Sequence, residues 1–266
     1  MMPATDRPAL TGAIADLKSK GWVVLGGPIP DGQIERLRDD LAIAWDVCRA
    51  VQERNAVASD ADLTVHHLVG IRESFLEVLA AYEPLDALLH DYFGGKYILN
   101  SLGGAINLRS HASYAQRIHR DIRSYSGDMP LLLNTLVMLD DFTADNGATW
   151  MCTGSHRAAE KPDAAEFERR AEQALGAAGS ILVFNSNLWH VGGTNRTDGA
   201  RRSITPMFCR PFIKPQFDYP RVLGYDRGDA LSPYVRQLAG YNARIPATLD
   251  EWYQPPERRM YRPDQG

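Results

Sequence analysis

The feature that most restricts how this chain can fold is a change of pattern near Lys96. Before it, apolar residues recur every three or four positions; after it, they come in short runs separated by turn residues. Strands are expected at 97–99, 105–108, 116–121, 131–139, 149–152, 180–184 and 203–209. Gly103-Gly104, Gly127, Asp145-Asn146-Gly147, Gly154-Ser155 and Gly192-Gly193 punctuate them as turn signals. Short strands at such intervals suit a sandwich, jelly roll or barrel.

The first part, about 1–95, reads as mainly helical, with one strand at 22–25 between Gly21 and Gly26-Gly27. Pro30-Asp31 opens a helix with Asp31 as its N-cap, and Ile34, Leu37, Leu41, Trp45 and Cys48 form its apolar stripe. A second helix is expected over 74–81, and Pro84 suits the first turn of a third that carries Leu85, Leu88, Leu89 and Tyr92 and ends at Gly94-Gly95. An Ala/Glu/Arg-rich insertion at 158–178 reads as a short surface helix or a lid. The tail, 215–266, is rich in Pro, Tyr and Arg and reads as irregular apart from a helical piece near 233–238. The expectation is one domain over 1–266, with helices packed around a β core at about 96–214.

Composition removes several classes. A hydrophobic fraction of 44% with 23% charged residues excludes a disordered or fibrous chain. The longest apolar run, 131–139, is broken by Asn134 and Thr135 and falls well short of the roughly 18 residues a membrane helix needs. A net charge of −4 argues against a polyphosphate partner. Cys48, Cys152 and Cys209 form no CxxC pair and read as buried small hydrophobes in a reducing compartment. Met1–Arg7 lacks the basic-then-apolar pattern of a signal peptide. The expectation is a soluble cytoplasmic protein whose partners include neither nucleic acid nor membrane.

Chemistry concentrates in three segments. In the stretch 116–122, a strand would point His119 and Asp121 to one side and Arg120 to the other. An apolar strand at 181–184 leads to His190, just before Gly192-Gly193. Two imidazoles and one carboxylate leave three open positions on an octahedral metal, the arrangement of non-haem Fe(II) oxygenases. Arg201, entering the last strand, would suit bidentate capture of a carboxylate. Asn134 and Thr135 either pair with neighbouring backbone or face a polar pocket. His119-Arg120-Asp121 also mimics a protein-kinase catalytic loop, but Ser126 stands where the metal-binding Asn belongs and no Gly-rich phosphate loop accompanies it. His66, His67 and His111 have no partnered spacing, and His156 reads as shaping a turn.

Taken in order, His119-Arg120-Asp121, Asp145-Asn146-Gly147, Thr153-Gly154-Ser155-His156, Leu188-Trp189-His190 and Arg201 resemble the phytanoyl-CoA hydroxylase (phytanoyl-CoA dioxygenase) family over about 100–209. The resemblance implies a double-stranded β-helix, a cupin-like jelly roll with flanking N-terminal helices. It gives His119, Asp121 and His190 the role of iron ligands and Arg201 that of pairing with the distal carboxylate of 2-oxoglutarate. Asn134 falls on the strand from which family members offer a polar group to the cosubstrate. One departure is Gly192, where family members often have a Ser that assists Arg201; Thr205 on the last strand is the candidate to replace that hydroxyl. The implied cofactors are Fe(II), 2-oxoglutarate and O2, and the implied reaction is oxidation of an unactivated C–H bond of a small molecule. Hydroxylation is the expected outcome, coupled to decarboxylation of 2-oxoglutarate to succinate and CO2; desaturation, epoxidation and ring closure share this machinery. Asp121 argues against halogenation, because its carboxylate takes the position a chloride would need.

Arg117, Arg123, Tyr125, Arg210 and Lys214 flank these segments. They either recognise an anionic substrate or are ordinary solvated charges. The rival readings are a cupin-like metal enzyme that does not use 2-oxoglutarate and a non-catalytic jelly-roll binding module.

Overall fold

The computed structural model of the protein describes residues 7–27, 29–57, 63–109 and 114–259, so His111 lies outside the described residues. Helix α1 (Arg7–Ser19) leads to β1 (Trp22–Leu25), α2 (Asp31–Arg54) and β2 (Thr64–Val65). Next come α3 (Ser74–Glu77), a 3-10 stretch (Val78–Leu85) and α4 (Asp86–Phe93). The β-rich part holds β3 (Ile98–Asn107), β4 (Leu132–Met138), β5 (Trp150–Cys152), α5 (Ala164–Arg170), β6 (Ala171–Gln173), β7 (Ile181–Asn185), β8 (His190–Val191) and β9 (Arg201–Cys209). Helices α6 (Tyr219–Leu223) and α7 (Pro233–Leu238) follow.

The strands form a six-stranded sheet, β1-β7-β4-β9-β3-β2, and a three-stranded one, β6-β5-β8. Pairing is antiparallel throughout both. This is the expected jelly roll with flanking helices, and a cavity lies between its two sheets.

Side-chain alternation decides which residues reach that cavity. Arg201, Ser203, Thr205 and Met207 of β9 line it, with Asn134 and Leu136 of β4 and Ser101, Gly103 and Ala105 of β3. The opposite face of the same strands, including Leu102, Leu133, Val137, Ile204 and Phe208, packs against the helices as the main core. A bulge between Leu99 and Ser101 brings β3 into this phase. From α2, Ile34, Leu37, Leu41 and Ala44 enter the core, while Trp45 and Cys48 pack on its margin.

Four local expectations are corrected. Gly103-Gly104 is no turn; both lie inside β3. A Cβ at Gly104 would sit 2.5 Å from Leu41 Cδ1, so close approach of α2 is what requires glycine there. Asp31 is the first helical residue of α2, and Pro30 is the cap. The helix expected over 74–81 is α-helical only as α3 and continues as the 3-10 stretch, which holds Pro84 near its end rather than in the first turn of α4. The tail is less irregular than its composition suggests: Tyr219, Leu238 and Tyr241 are buried in the helix-side core. The piece expected near 233–238 is α7, and the insertion holds α5 and the unanticipated β6.

Candidate metal centre and its cavity

His119 and His190 come together through their backbones. Each N–H donates to the other's C=O, at 3.0 and 2.9 Å, in an isolated antiparallel bridge that extends the smaller sheet. A directly opposed pair points both side chains to one face, and the two rings stand 4.3 Å apart. The expected strand over 116–121 is reduced to that bridge, and Asp121 sits in a bend. The carboxylate still turns inward: Oδ1 lies 3.5 Å from His119 Nε2 and Oδ2 3.7 Å from His190 Nε2. Arg120 points away, donating to Ala159 O at 3.1 Å and lying over the Trp189 ring at 4.9 Å.

The donor atoms of His119, Asp121 and His190 all lie within 4.8 Å of one another. Each imidazole turns Nδ1 to a backbone carbonyl, His119 to Arg117 O at 2.7 Å and His190 to Leu188 O at 3.0 Å. Donation from Nδ1 leaves Nε2 with its lone pair directed at the cluster, the second contact that metal-binding histidines ordinarily make. Two imidazoles and a carboxylate so arranged fit a divalent first-row metal.

Electrostatics favour the ionised carboxylate of Asp121 and the neutral ring of His190, whereas Asp121 draws His119 toward its protonated form. Burial opposes the charged form of Asp121, but the His190 and His119 charges and the His119 hydrogen bond outweigh it and hold the carboxyl below its usual range. In His190 burial prevails and lowers the pKa, with Asp121 opposing and His119 adding to the shift. His119 is raised: burial pulls it down, and the hydrogen bond to Asp121 and its charge more than compensate.

The cluster opens into a cavity of about 280 Å³ that also holds Arg201, Asn134 and Thr205 on its wall. Arg201 is 6% exposed and lies over the Phe142 ring at 4.3 Å, and its Nε and Nη1 have no hydrogen-bond partner. Burial pulls its pKa down to about 10, with Asp140 opposing, so it remains a cation at neutral pH. A buried guanidinium with unused donors fits an incoming carboxylate. Neighbouring Arg202 is spent otherwise, with N, Nε and Nη2 all donating to the Asp140 carboxylate at 2.7 to 2.9 Å.

The two polar residues of β4 take different roles. Thr135 faces the helices and bonds Tyr82 and Pro206 O, at 2.7 and 2.6 Å. Asn134 faces the cavity, where Nδ2 donates to Asp121 Oδ2 and Oδ1 accepts from Ser186 Oγ at 2.7 Å. Thr205 stands opposite Gly103. Gly192 also has a reason: its N–H donates to Ala115 O at 2.7 Å, and a Cβ there would meet that same oxygen at 3.2 Å.

Sequence reasoning missed Ser186 and Phe142. Ser186 has a faint signal, a polar residue just beyond an apolar strand; Phe142 has none. His66 reaches the cavity rim, while His67 stacks on Phe217 at 4.5 Å. Of the five residues expected to mark an anionic substrate, none lines the cavity among the described residues. Arg117, Arg123 and Lys214 are exposed, and Arg210 donates to Pro130 O at 3.2 Å.

Comparison with known proteins agrees with this architecture. The pattern of the family described as phytanoyl-CoA dioxygenase matches residues 17–203. An uncharacterized protein of Mycobacterium tuberculosis, Rv1501, is 39% identical over 153 residues, which span 58% of this chain and only 56% of that relative. The dioxygenase cdmA of Talaromyces verruculosus is 26% identical over 254 residues, 86% of this chain and 82% of its own. In fold, the chain resembles SnoN, a non-heme alpha ketoglutarate dependent epimerase from nogalamycin biosynthesis, with a TM-score of 0.61 at 19% identity over 79% of this chain and 87% of that one. The match over 17–203 takes in α2 to α5, β1 to β8 with the start of β9, and the three converging side chains, and the chain belongs to the phytanoyl-CoA dioxygenase family.

Proposed function

We propose that this protein is an Fe(II)- and 2-oxoglutarate-dependent oxygenase that oxidises a C–H bond of a small molecule, with hydroxylation as the outcome. His119, Asp121 and His190 would hold the iron, leaving three positions for cosubstrate and dioxygen. When bound, the iron supplies the oxidising power, drawn from O2 and the decarboxylation of 2-oxoglutarate to succinate and CO2. Arg201 would bind the carboxylate of 2-oxoglutarate remote from the metal, and the apolar wall formed by Leu136, Phe184 and Met207 keeps water from the reacting atoms.

The observation that carries this reading is the buried Arg201 with Nε and Nη1 unpartnered in the same cavity as the three converging side chains. A buried guanidinium with unpaired donors is costly, and a carboxylic-acid cosubstrate would pair them. Because Arg201 is the sole Arg or Lys among the described lining residues and is taken by the cosubstrate, the lining leaves no Arg or Lys for an anionic group, which favours a substrate that is not anionic where it enters the cavity.

The test is succinate formation from 2-oxoglutarate with Fe(II) and O2, run over a panel of small molecules as matched acids and amides and read by mass spectrometry. A gain of one oxygen on an uncharged member is expected. Arg201→Lys, which cannot make the bidentate contact, should raise the KM for 2-oxoglutarate by about tenfold or more, the worth of roughly one charge-assisted hydrogen bond. Substrate oxidation that needs no 2-oxoglutarate and is indifferent to that substitution would favour a metal enzyme that does not use 2-oxoglutarate.

A further inference from the structure

Asp121 occupies a bend, so no regular ladder directs its side chain. Its direction comes from Asn134 of β4 and from Ser186, in the turn just after β7. Asn134 Nδ2 donates to Asp121 Oδ2, and Ser186 Oγ donates to Asn134 Oδ1 at 2.7 Å. Asn134 is 4% exposed and Ser186 1%, so neither bond competes with bulk water. Ser186 also reaches the backbone beside Asp121, since its C=O accepts from Ile122 N–H at 3.3 Å.

The chemistry of the amide makes this a directed relay. An asparagine has a donor end and an acceptor end, and the Ser186 hydroxyl proton is directed at the oxygen. That holds the nitrogen toward Asp121; the flipped amide would set its oxygen against a carboxylate. The relay uses one N–H of Asn134 and its oxygen, and leaves the second N–H of Nδ2 for a cosubstrate, the role suggested by family resemblance.

We propose that Ser186 and Asn134 are positioning residues: they hold Asp121 Oδ2, so that the carboxylate presents Oδ1 to the metal. The proposal rests on reading His119, Asp121 and His190 as a metal centre. Supporting hydrogen bonds of this kind are typically worth 10- to 100-fold in metal affinity.

The experiment is Co(II) titration of the full chain, followed by its visible ligand-field absorption, for wild type, Asn134→Ala and Ser186→Ala. Melting of each metal-free protein checks the fold, and 2-oxoglutarate is then titrated into each Co(II)-loaded protein. Both variants are expected to bind Co(II) about 10- to 100-fold more weakly and to alter the ligand-field band, with the metal-free melting temperature of Ser186→Ala close to wild type. If Asn134→Ala fails to fold, Ser186→Ala carries the test alone. Unchanged Co(II) affinity and an unchanged band in the folded variants would overturn the proposal. A weakened Asn134→Ala beside a silent Ser186→Ala would remove Ser186 from it. Loss of 2-oxoglutarate affinity in Asn134→Ala with Co(II) binding intact would return Asn134 to the cosubstrate. Wild type that binds no Co(II) would sink the metal-centre reading itself, and this proposal with it.

Discussion

His156, in the turn after β5, is 8% exposed, and its Nε2 lies 3.3 Å from Lys18 O. Its Nδ1 has no partner, and Gly21 packs so close that a Cβ there would come within 2.4 Å of it. Burial first, then the charges of Arg157 and Arg170, lower its pKa below the ordinary value, against the bond to Lys18 O. The consequence for stability has a definite sign. Above the ordinary histidine value of about 6.5 both folded and unfolded chains carry a neutral ring, and His156 contributes no pH dependence. As pH falls through about 6.5 the unfolded chain takes up a proton that the folded ring resists, so stability declines until the lowered folded pKa is passed. His156→Gln keeps a donor for Lys18 O and removes the titration; its melting temperature is expected to fall less than wild type between about pH 7 and 5.5. Parallel decline in the two proteins would assign the acid sensitivity to other groups. His156 was legible in the sequence as a turn residue, but its burial was not, because the residues that cover it come from α1 and Gly21.

Among the elements, β4 shows what alternation does to adjacent polar residues. Asn134 and Thr135 break the same apolar run and read alike in sequence, yet they serve opposite faces. Thr135 donates to the C=O of Pro206, in the neighbouring strand β9, and therefore accepts from Tyr82. Tyr82 is fully buried, and burial pushes its pKa well up, so it stays a neutral donor. Thr135→Val preserves shape but strands both partners, with an expected loss of about 1–3 kcal/mol in urea unfolding. Adding Tyr82→Phe should recover part of that loss, since removing both ends of a buried hydrogen bond costs less than removing one. Additive losses in the double variant would refute the pairing. Most strands were readable from alternation and turn residues, and α2 from its stripe. Gly103-Gly104 misled because glycine marks either a turn or a close approach, and only the position of Leu41 distinguishes them.

For the molecule as a whole, the metal should act as a fastener. His119 and Asp121 come from one segment and His190 from another, joined by a bridge of two backbone hydrogen bonds. An ion bound only by the folded chain stabilises it by mass action, by about 2.7 kcal/mol at a hundredfold excess over Kd. For a chain of this size that is roughly 5–10 °C in Tm. Mn(II) should therefore raise the melting temperature, a chelator should reverse it, and His190→Ala should abolish the response; a Tm indifferent to metal would count against a centre at these residues. The sequence by itself determined the division into a helical first part and a β-rich second, most of the longer strands, the His-x-Asp spacing and the placing of His190 beyond an apolar strand, because period and turn chemistry act over a few neighbouring residues. Tertiary structure alone decided that Arg201 is left unpaired while Arg202 is taken up by Asp140, and that Asp121 is held through Asn134, 13 positions along the chain, and Ser186, a further 52 beyond. Those outcomes depend on which polar atoms find partners once distant segments are packed together, and no local pattern encodes that.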